Sequence, residues 1–519
     1  MSVFSRASAL PLLVAGAMFM ENLDGTVIVT AMPQMAASFG VQPVDMNIGI
    51  TAYILALTVF IPASGWIANR FGARTVFSVA VAIFTLASVL CALSPSLPLF
   101  TAARILQGIA GALMVPVGRL IVLRNAAKQD LIKAIATITW PALVAPILGP
   151  PVGGFITTYA SWHWIFILNV PLGVVALILA GRLIPRETAQ QSAPFDIPGF
   201  VLTGVACFGL MFGLDLISHP QLSWLVPVLC VGGSLALGLL AVRHAKRSPH
   251  PLVELWAMRI KSYAVTIWGG TLFRIAIGAV PFLLPLMFQL AFGLNAFDAG
   301  LLVLAVFAGN LAMKPFTSAV LFRFPFRTIL VGNGLLNAAT IFACALLTPQ
   351  TPTWLILALL FVSGLTRSMQ FTALNTLAFS EVPQPRMNGA NTLFNMAQQL
   401  GGGLSIAIGA LALRLAEMLF PGRSAAVPLA DFQLAFVAIG VVALLAVVDS
   451  FTLNRDAGSE IRRKKPLRRR SAAMRRRPCS KNKSHLPPIH VVSTIRLIFP
   501  GADFCRFRPE KRGNNNESQ

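Results

Sequence analysis

Long apolar runs, separated by short polar stretches, fill most of the chain up to residue 453. A helix needs about 20 largely apolar residues to cross a bilayer. On that scale the pattern predicts about 14 spans, near 9–30, 47–68, 75–94, 98–121, 134–157, 162–182, 197–217, 222–242, 263–290, 297–320, 327–348, 353–377, 393–414 and 431–453. Gly and Pro recur inside many of them. Membrane helices tolerate this because neighbouring helices satisfy the freed backbone groups. The expected fold class is all-α: a polytopic membrane protein.

The loops between the runs set an orientation. Arg70 and Arg74 follow span two, and Arg124, Lys128 and Lys133 follow span four. Arg182 and Arg186 follow span six; Arg243, Lys246, Arg247, Arg259 and Lys261 follow span eight. Arg323 and Arg327 follow span ten, and Arg386 follows span twelve. The alternate loops are almost free of Lys and Arg, Arg423 excepted. Positive loops stay inside, so both termini are expected in the cytoplasm. Trp162, His163 and Trp164 then start a span on the outer side and read as an interfacial aromatic belt.

Composition narrows the class. Of 519 residues, 56% are hydrophobic and only 11% charged, against about 25% charged in soluble proteins. A soluble enzyme could not hide so much apolar surface. The net charge of +23 looks discordant until it is placed along the chain. Residues 455–519 hold 18 Lys/Arg and 5 Asp/Glu, while residues 1–454 hold 23 and 13. The tail is thus a separate basic segment, with clusters at 462–465, 468–470 and 475–477. Such blocks are usually disordered and can lie on anionic lipid; no nucleic-acid partner is expected. The six cysteines include no CxxC pair, so neither a metal site nor a disulfide framework is expected. Glu21 and Asp24 inside the first run speak against a cleavable signal peptide.

A short internal repeat organises the count. Residues 70–75 read Arg-Phe-Gly-Ala-Arg-Thr and residues 323–328 read Arg-Phe-Pro-Phe-Arg-Thr. Both follow an even span, but eight spans apart rather than six. Two six-helix halves with an inserted helix pair fit that offset, and repeated halves around a midplane site are common in secondary transporters. The expected division is an N-terminal six-helix bundle over 1–190, an inserted pair over 191–260, a C-terminal six-helix bundle over 261–453 and a basic tail over 454–519.

The chemistry-bearing residues lie inside the apolar runs. Span one holds Glu21 and, in Leu23-Asp24-Gly25-Thr26, Asp24, three residues on and so on the same helical face; Ala31-Met32-Pro33 follows. The loop after span two reads Gly65-Trp-Ile-Ala-Asn69-Arg70-Phe-Gly72-Ala73-Arg74. Gly72 permits a tight turn, and Arg70 and Arg74 can meet acids or helix C-terminal carbonyls. Span four contains Arg104-Ile-Leu-Gln107-Gly108-Ile-Ala-Gly111. An arginine at such depth costs about 2.5–3.5 kcal/mol or more and so faces a partner or a cavity. Span five contains Gly149-Pro150-Pro151-Val-Gly153-Gly154, whose Gly149 and Gly153 permit close helix packing and whose prolines should bend the helix. Arg274, Lys314 and Arg367 are further intramembrane charges. Lys314 lies near a span end and could snorkel. Asn375 and Gln398 are polar groups in apolar helices, able to line a cavity or to join helices. Asp196 reads as a cap at the start of span seven.

Taken together, these elements resemble the major facilitator superfamily, and within it the 14-span drug:proton antiporter branch (the EmrB/QacA type), over about residues 8–453. The resemblance implies a conformational latch at Gly65, Asn69, Arg70, Gly72 and Arg74. It implies an antiporter-motif helix at Gly149, Pro150, Gly153 and Gly154, and proton coupling by Asp24 and Arg104; Glu21, on the same helical face as Asp24, is expected to share that role. Asn69 departs from the family's Asp, and Val29 stands where an Asn is usual. Cavity or substrate contacts are expected at Gln107, Arg274, Arg367, Asn375 and Gln398; the two arginines could instead pair with Glu21 or Asp24 across the halves. The implied activity is export of amphiphilic organic compounds in exchange for protons, from a bacterial inner membrane, with no cofactor and with room for a periplasmic adaptor protein. Uptake of a metabolite by symport is the alternative within transport. A membrane-embedded enzyme or sensor is the distant one, since no ATP-binding loop, HExxH or paired-aspartate motif is present.

Overall fold

The computed structural model describes residues 6–41, 46–126, 130–185, 194–217, 225–419 and 429–459. Lys128, Arg186, Arg423 and the basic tail clusters lie outside these. Every regular element among the described residues is helical. In chain order they are α1 (Arg6–Phe39), α2 (Asn47–Phe71), α3 (Ala73–Ala92), α4 (Leu97–Asn125), α5 (Leu131–Tyr159), α6 (His163–Ile167) and α7 (Asn169–Leu183). There follow α8 (Ile197–Ile217), α9 (Leu225–Arg247), α10 (Lys261–Leu286), α11 (Ala296–Ala312), α12 (Lys314–Arg323), α13 (Phe326–Cys344), α14 (Thr353–Ser380), α15 (Met387–Leu419) and α16 (Leu429–Val448).

Among the described residues, 11 helices, α6 and α7 together making one, are long and apolar enough to cross a membrane, and up to 13 spans result if each of two bent pairs is one. The 29-residue α5 lies between α4 and α6 in chain order. Both bends have a covalent cause. Pro33 has no N–H for the carbonyl of Val29, and α1 turns by 49° between Ile28 and Thr30. Pro315 likewise deprives Leu311, and α11 and α12 meet at 47° around Met313. By contrast, α5 is continuous through Pro150 and Pro151.

The helices pack as two six-helix bundles. In the first, α1 lies on α5, α4 and α7, while α3 and α2 both lie on α4. In the second, α10 lies on α15 and α16, α13 on α14 and α16, and α11 on α14. The inserted helices α8 and α9 pair with each other, and α8 rests on α2 and α15. Phe60 on Phe200 and Trp66 on Phe195 form that seam. Asp196 caps α8: the Gly199 N–H donates to its Oδ1 at 3.0 Å. It also ties down the end of α9, with His244 Nε2 at 2.8 Å and the Leu252 N–H at 3.2 Å. Burial alone would favour the neutral acid, but these hydrogen bonds outweigh it and hold the carboxyl below its ordinary value.

The repeat seen in the sequence falls at equivalent corners. Gly72, with φ 82°, turns α2 into α3, and Phe324-Pro325 turns α12 into α13. The aromatic belt is only partly as expected. Trp164 is 55% exposed, but Trp162 is 2% exposed, stacked on His163 and edge-on to Phe39. Its backbone N–H donates to Gln34 Oε1 on α1. Trp162 is therefore a plug between helices and not a membrane anchor.

Candidate functional site

Within α1 most polar side chains are satisfied locally. Asn22 donates to the Met18 carbonyl, and Thr26 to those of Asn22 and Leu23. Asp24, 2% exposed, has no such recourse and needs partners from other helices. Arg104 of α4, fully buried, supplies the first: its Nη1 donates to Asp24 Oδ2 at 2.6 Å. Asp24 Oδ1 accepts from Gln107 Nε2 at 3.0 Å and from Asn169 Nδ2, on α7, at 2.8 Å. Both amides also donate to Ser88 Oγ on α3. Three side chains from α4 and α7 thus bond one carboxylate, with Ser88 of α3 joining the two amides behind it, and the acid is met by a charge and by two further hydrogen bonds.

Arg104 also stacks over the Tyr53 ring of α2, with 4.2 Å from guanidinium carbon to ring centroid. Its Nε and Nη2 have no hydrogen-bond partner, so the ring face is what they meet. The Tyr53 hydroxyl bonds to the carboxyl of Glu21, one turn before Asp24. Glu21 Oε2 is buried without any partner. Gly111 makes room for this acid; a Cβ there would lie 3.3 Å from Glu21 Oε1. The site therefore contains two unlike acids, one fully clasped by donors and one half-satisfied.

The α5 motif packs directly behind Asp24. A Cβ on Gly149 would run into the Thr26 side chain, and one on Gly153 into the Thr30 hydroxyl and, at 2.8 Å, the Val27 carbonyl. Gly154 has open space. The side chains of Pro150 and Pro151 lie outside the described ones. Gly153→Ala is accordingly expected to lower stability by about 1–3 kcal/mol through overpacking, whereas Gly154→Ala stays within about 0.5 kcal/mol. Thermal unfolding of the purified variants measures both.

The expected latch residues divide in two. Gly65 meets the other bundle: Asn388 Nδ2 of α15 donates to its carbonyl at 2.7 Å, and Thr392 packs where its side chain would be. Asn69 Oδ1 accepts from Arg124 at 2.9 Å, and Arg74 Nη2 donates to the Gly181 carbonyl, near the end of α7, at 2.6 Å. These are contacts within the first bundle. Arg70 is exposed. Two further bonds cross between the bundles at the same end: Asn391 Nδ2 to the Pro116 carbonyl, and Arg119 Nη1 to Gln398 Oε1. The bundles are thus joined at the end that carries the α2–α3 corner.

The expected cavity residues are scattered. Gln107 belongs to the Asp24 network and is fully buried, so it does not face an open cavity. Arg367 donates to the Ile277 carbonyl. Asn375 donates to the Phe371 carbonyl and lies beside Arg119 at a small void. Arg274 and Arg367 do not pair with Asp24, which Arg104 already holds. Lys314 does not snorkel; its amine donates to Thr372 Oγ1 on α14. A cavity of about 1380 Å³ lies elsewhere, between α8–α9 and the seam of the bundles, with Trp66, Asn69, Arg259 and Asn388 in its wall. Tyr53, Ser88, Asn169 and Arg119 were not singled out from the sequence. Each is a polar residue within an apolar run, which is the one signal that marks them.

Comparison with known proteins decides the family. The family model of the Major Facilitator Superfamily matches residues 14–406. The chain belongs to the Major Facilitator Superfamily. It is a membrane transporter with many spans, in a family that is not an enzyme class. Among its relatives is the "Putative multidrug resistance protein MdtD" of Pectobacterium atrosepticum, 36% identical over 405 residues, covering 77% of this chain and 86% of that one. The protein of the same name from Yersinia enterocolitica is 36% identical with 77% and 85% coverage. Among solved structures, the proton:xylose symporter XylE superposes with a TM-score of 0.61 at 14% identity, covering 87% of this chain and 97% of that one. The human organic anion transporter MFSD10 gives 0.62 at 12% identity, covering 86% and 100%. At these identities the structural likeness speaks for the shared superfamily fold alone.

Proposed function

We propose that this transporter exports amphiphilic organic compounds from the cytoplasm in exchange for protons, by alternating access. The observation that carries the proposal is the pair of unlike acids on α1. Asp24 is clasped by Arg104, Gln107 and Asn169 and has its oxygens already satisfied. Glu21, with an unpartnered buried oxygen, is the acid at which a proton has most to satisfy. Arg104 touches Asp24 directly and Glu21 through Tyr53, so a shift of one alters the surroundings of the other. The names of the relatives support the drug-export reading.

The moving parts are the bundle of residues 1–190 and that of 261–453, with the inserted pair of 191–260 docked on α2 and α15. Gly149 and Gly153 hold α5 against α1, so the antiporter-motif helix and the acids move as one body. Gly65, Asn388, Asn391 and Gln398 form the closed end. The charge of the loops supports a cytoplasmic position for that end and for both termini, and the bacterial relatives support an inner-membrane location. The partners are the substrate, protons and the lipid bilayer. The test is a growth-inhibition panel of organic cations, anions and neutral amphiphiles in a susceptible bacterial host, with and without a proton uncoupler. Expression should raise tolerance to some compounds, and the uncoupler should abolish the gain. Unchanged tolerance to every compound would count against the proposal.

A further inference from the structure

A second buried charge cluster lies outside the Asp24 network, where the bundles meet. Arg119 of α4 and Arg274 of α10 both face the ring of Phe394 on α15, with guanidinium carbons 5.4 Å and 4.9 Å from its centroid. The two residues are 5% and 4% exposed. Arg119 donates one bond to Gln398 Oε1, a turn further along α15. Arg274 donates none: its Nε, Nη1 and Nη2 are all buried without a partner. Its charged neighbour is Arg119, with the phenol of Tyr263 nearby, and the Tyr263 hydroxyl already donates to the Ala390 carbonyl.

Two buried guanidiniums with so few acceptors repel each other and leave strong donors unused. The helices nevertheless make space for them. A Cβ on Gly270 would lie 3.1 Å from Arg274 Nη1, and one on Gly401 3.2 Å from Arg274 Cβ. Beside Arg119 a small void is bordered by Thr139, Asn375 and Phe379. The chemistry that completes such a cluster is a carboxylate, which accepts from planar guanidinium forks, on a body that can lie against Phe394.

We propose that Arg119 and Arg274 form a subsite for the carboxylate of a transported amphiphilic anion, with Phe394 against its apolar body. This rests on the transporter reading above and names the substrate class it would serve. The subsite spans α4, α10 and α15, so its occupancy depends on how the two bundles meet. Gln398 holds the place of an acceptor for Arg119 while the bundles are joined, and the carboxylate takes over that role.

The test is calorimetric titration of the purified full-length protein with 2-naphthoate and with 2-naphthylmethanol, which has the same body and no charge. The wild type should bind the acid at least about tenfold more tightly than the alcohol. Arg274→Gln should weaken the acid by about tenfold or more while leaving the alcohol unchanged, and Arg274→Lys should restore part of the loss. The lysine variant keeps a buried cation and so separates loss of binding from loss of fold. Equal binding of acid and alcohol, absence of binding of the acid to the wild type, or an unchanged acid affinity in Arg274→Gln would each overturn the proposal. Proton-driven efflux by the wild type of the cations, anions and neutral amphiphiles of the growth panel reports the transporter reading separately. Efflux without naphthoate binding sinks the subsite alone, and naphthoate binding without efflux of any panel compound sinks the transport mechanism alone.

Discussion

Arg104→Leu should lower the stability of the folded protein by about 3–5 kcal/mol, the effect of leaving one member of a buried ion pair without the other. Asp24 would keep its two amide donors but lose the only cation bonded to it among the described residues. Thermal unfolding in detergent measures the loss. The double variant Asp24→Asn/Arg104→Gln removes both charges, keeps hydrogen-bonding groups of similar size and should regain most of the stability. Its proton-driven efflux should stay at the level of the empty membrane. Stability without transport would separate the structural role of the pair from its role in coupling. If Arg104→Leu unfolded at the wild-type temperature, the 2.6 Å contact would not be a working ion pair.

Glu21→Gln should uncouple transport while leaving the protein folded. The amide is nearly isosteric, it can still bond to the Tyr53 hydroxyl, and it fits the space left by Gly111. It cannot carry a proton on and off. Proteoliposomes bearing the variant should exchange labelled substrate for unlabelled substrate near the wild-type rate. Accumulation driven by an imposed pH gradient should fall by roughly tenfold or more, since that step needs the titrating acid. Asp24→Asn should behave differently. It strips Arg104 of its anion, so both exchange and driven accumulation should fall. Equal behaviour of the two variants would remove the distinction between a clasped acid and a proton-carrying one.

Much of the fold was legible from length and hydropathy. The span positions follow because about 20 apolar residues have few alternatives to crossing the bilayer, and the inserted pair followed from the offset of the Arg-Phe repeat. The bends at Ile28–Thr30 and at Met313 were not placed, although Pro33 and Pro315 cause them. Proline is common in membrane helices, and whether a helix breaks depends on what satisfies the freed carbonyl. In the site, Asp24, Arg104 and Gln107 stood out because they are polar in apolar runs with a family pattern around them. That Gln107 supports Asp24 instead of lining a cavity was not legible. Lipid and protein core are both apolar, so the sequence of a membrane helix does not mark its inner face as a soluble amphipathic helix does. For the same reason Asn169 and Ser88 passed unnoticed, Trp162 looked like a membrane anchor, and nothing marked Arg119 as the neighbour of Arg274.

The central claim is that a substrate and a proton compete through the α1 acids. It is tested most directly by the protons released when substrate binds. Purified protein in weakly buffered detergent solution, with a pH-sensitive dye, is mixed with the compound exported most strongly in the growth panel. The wild type should release about one proton per bound substrate near neutral pH, and Glu21→Gln should bind the same compound with no release. Equal proton release from the wild type and Glu21→Gln would contradict the account.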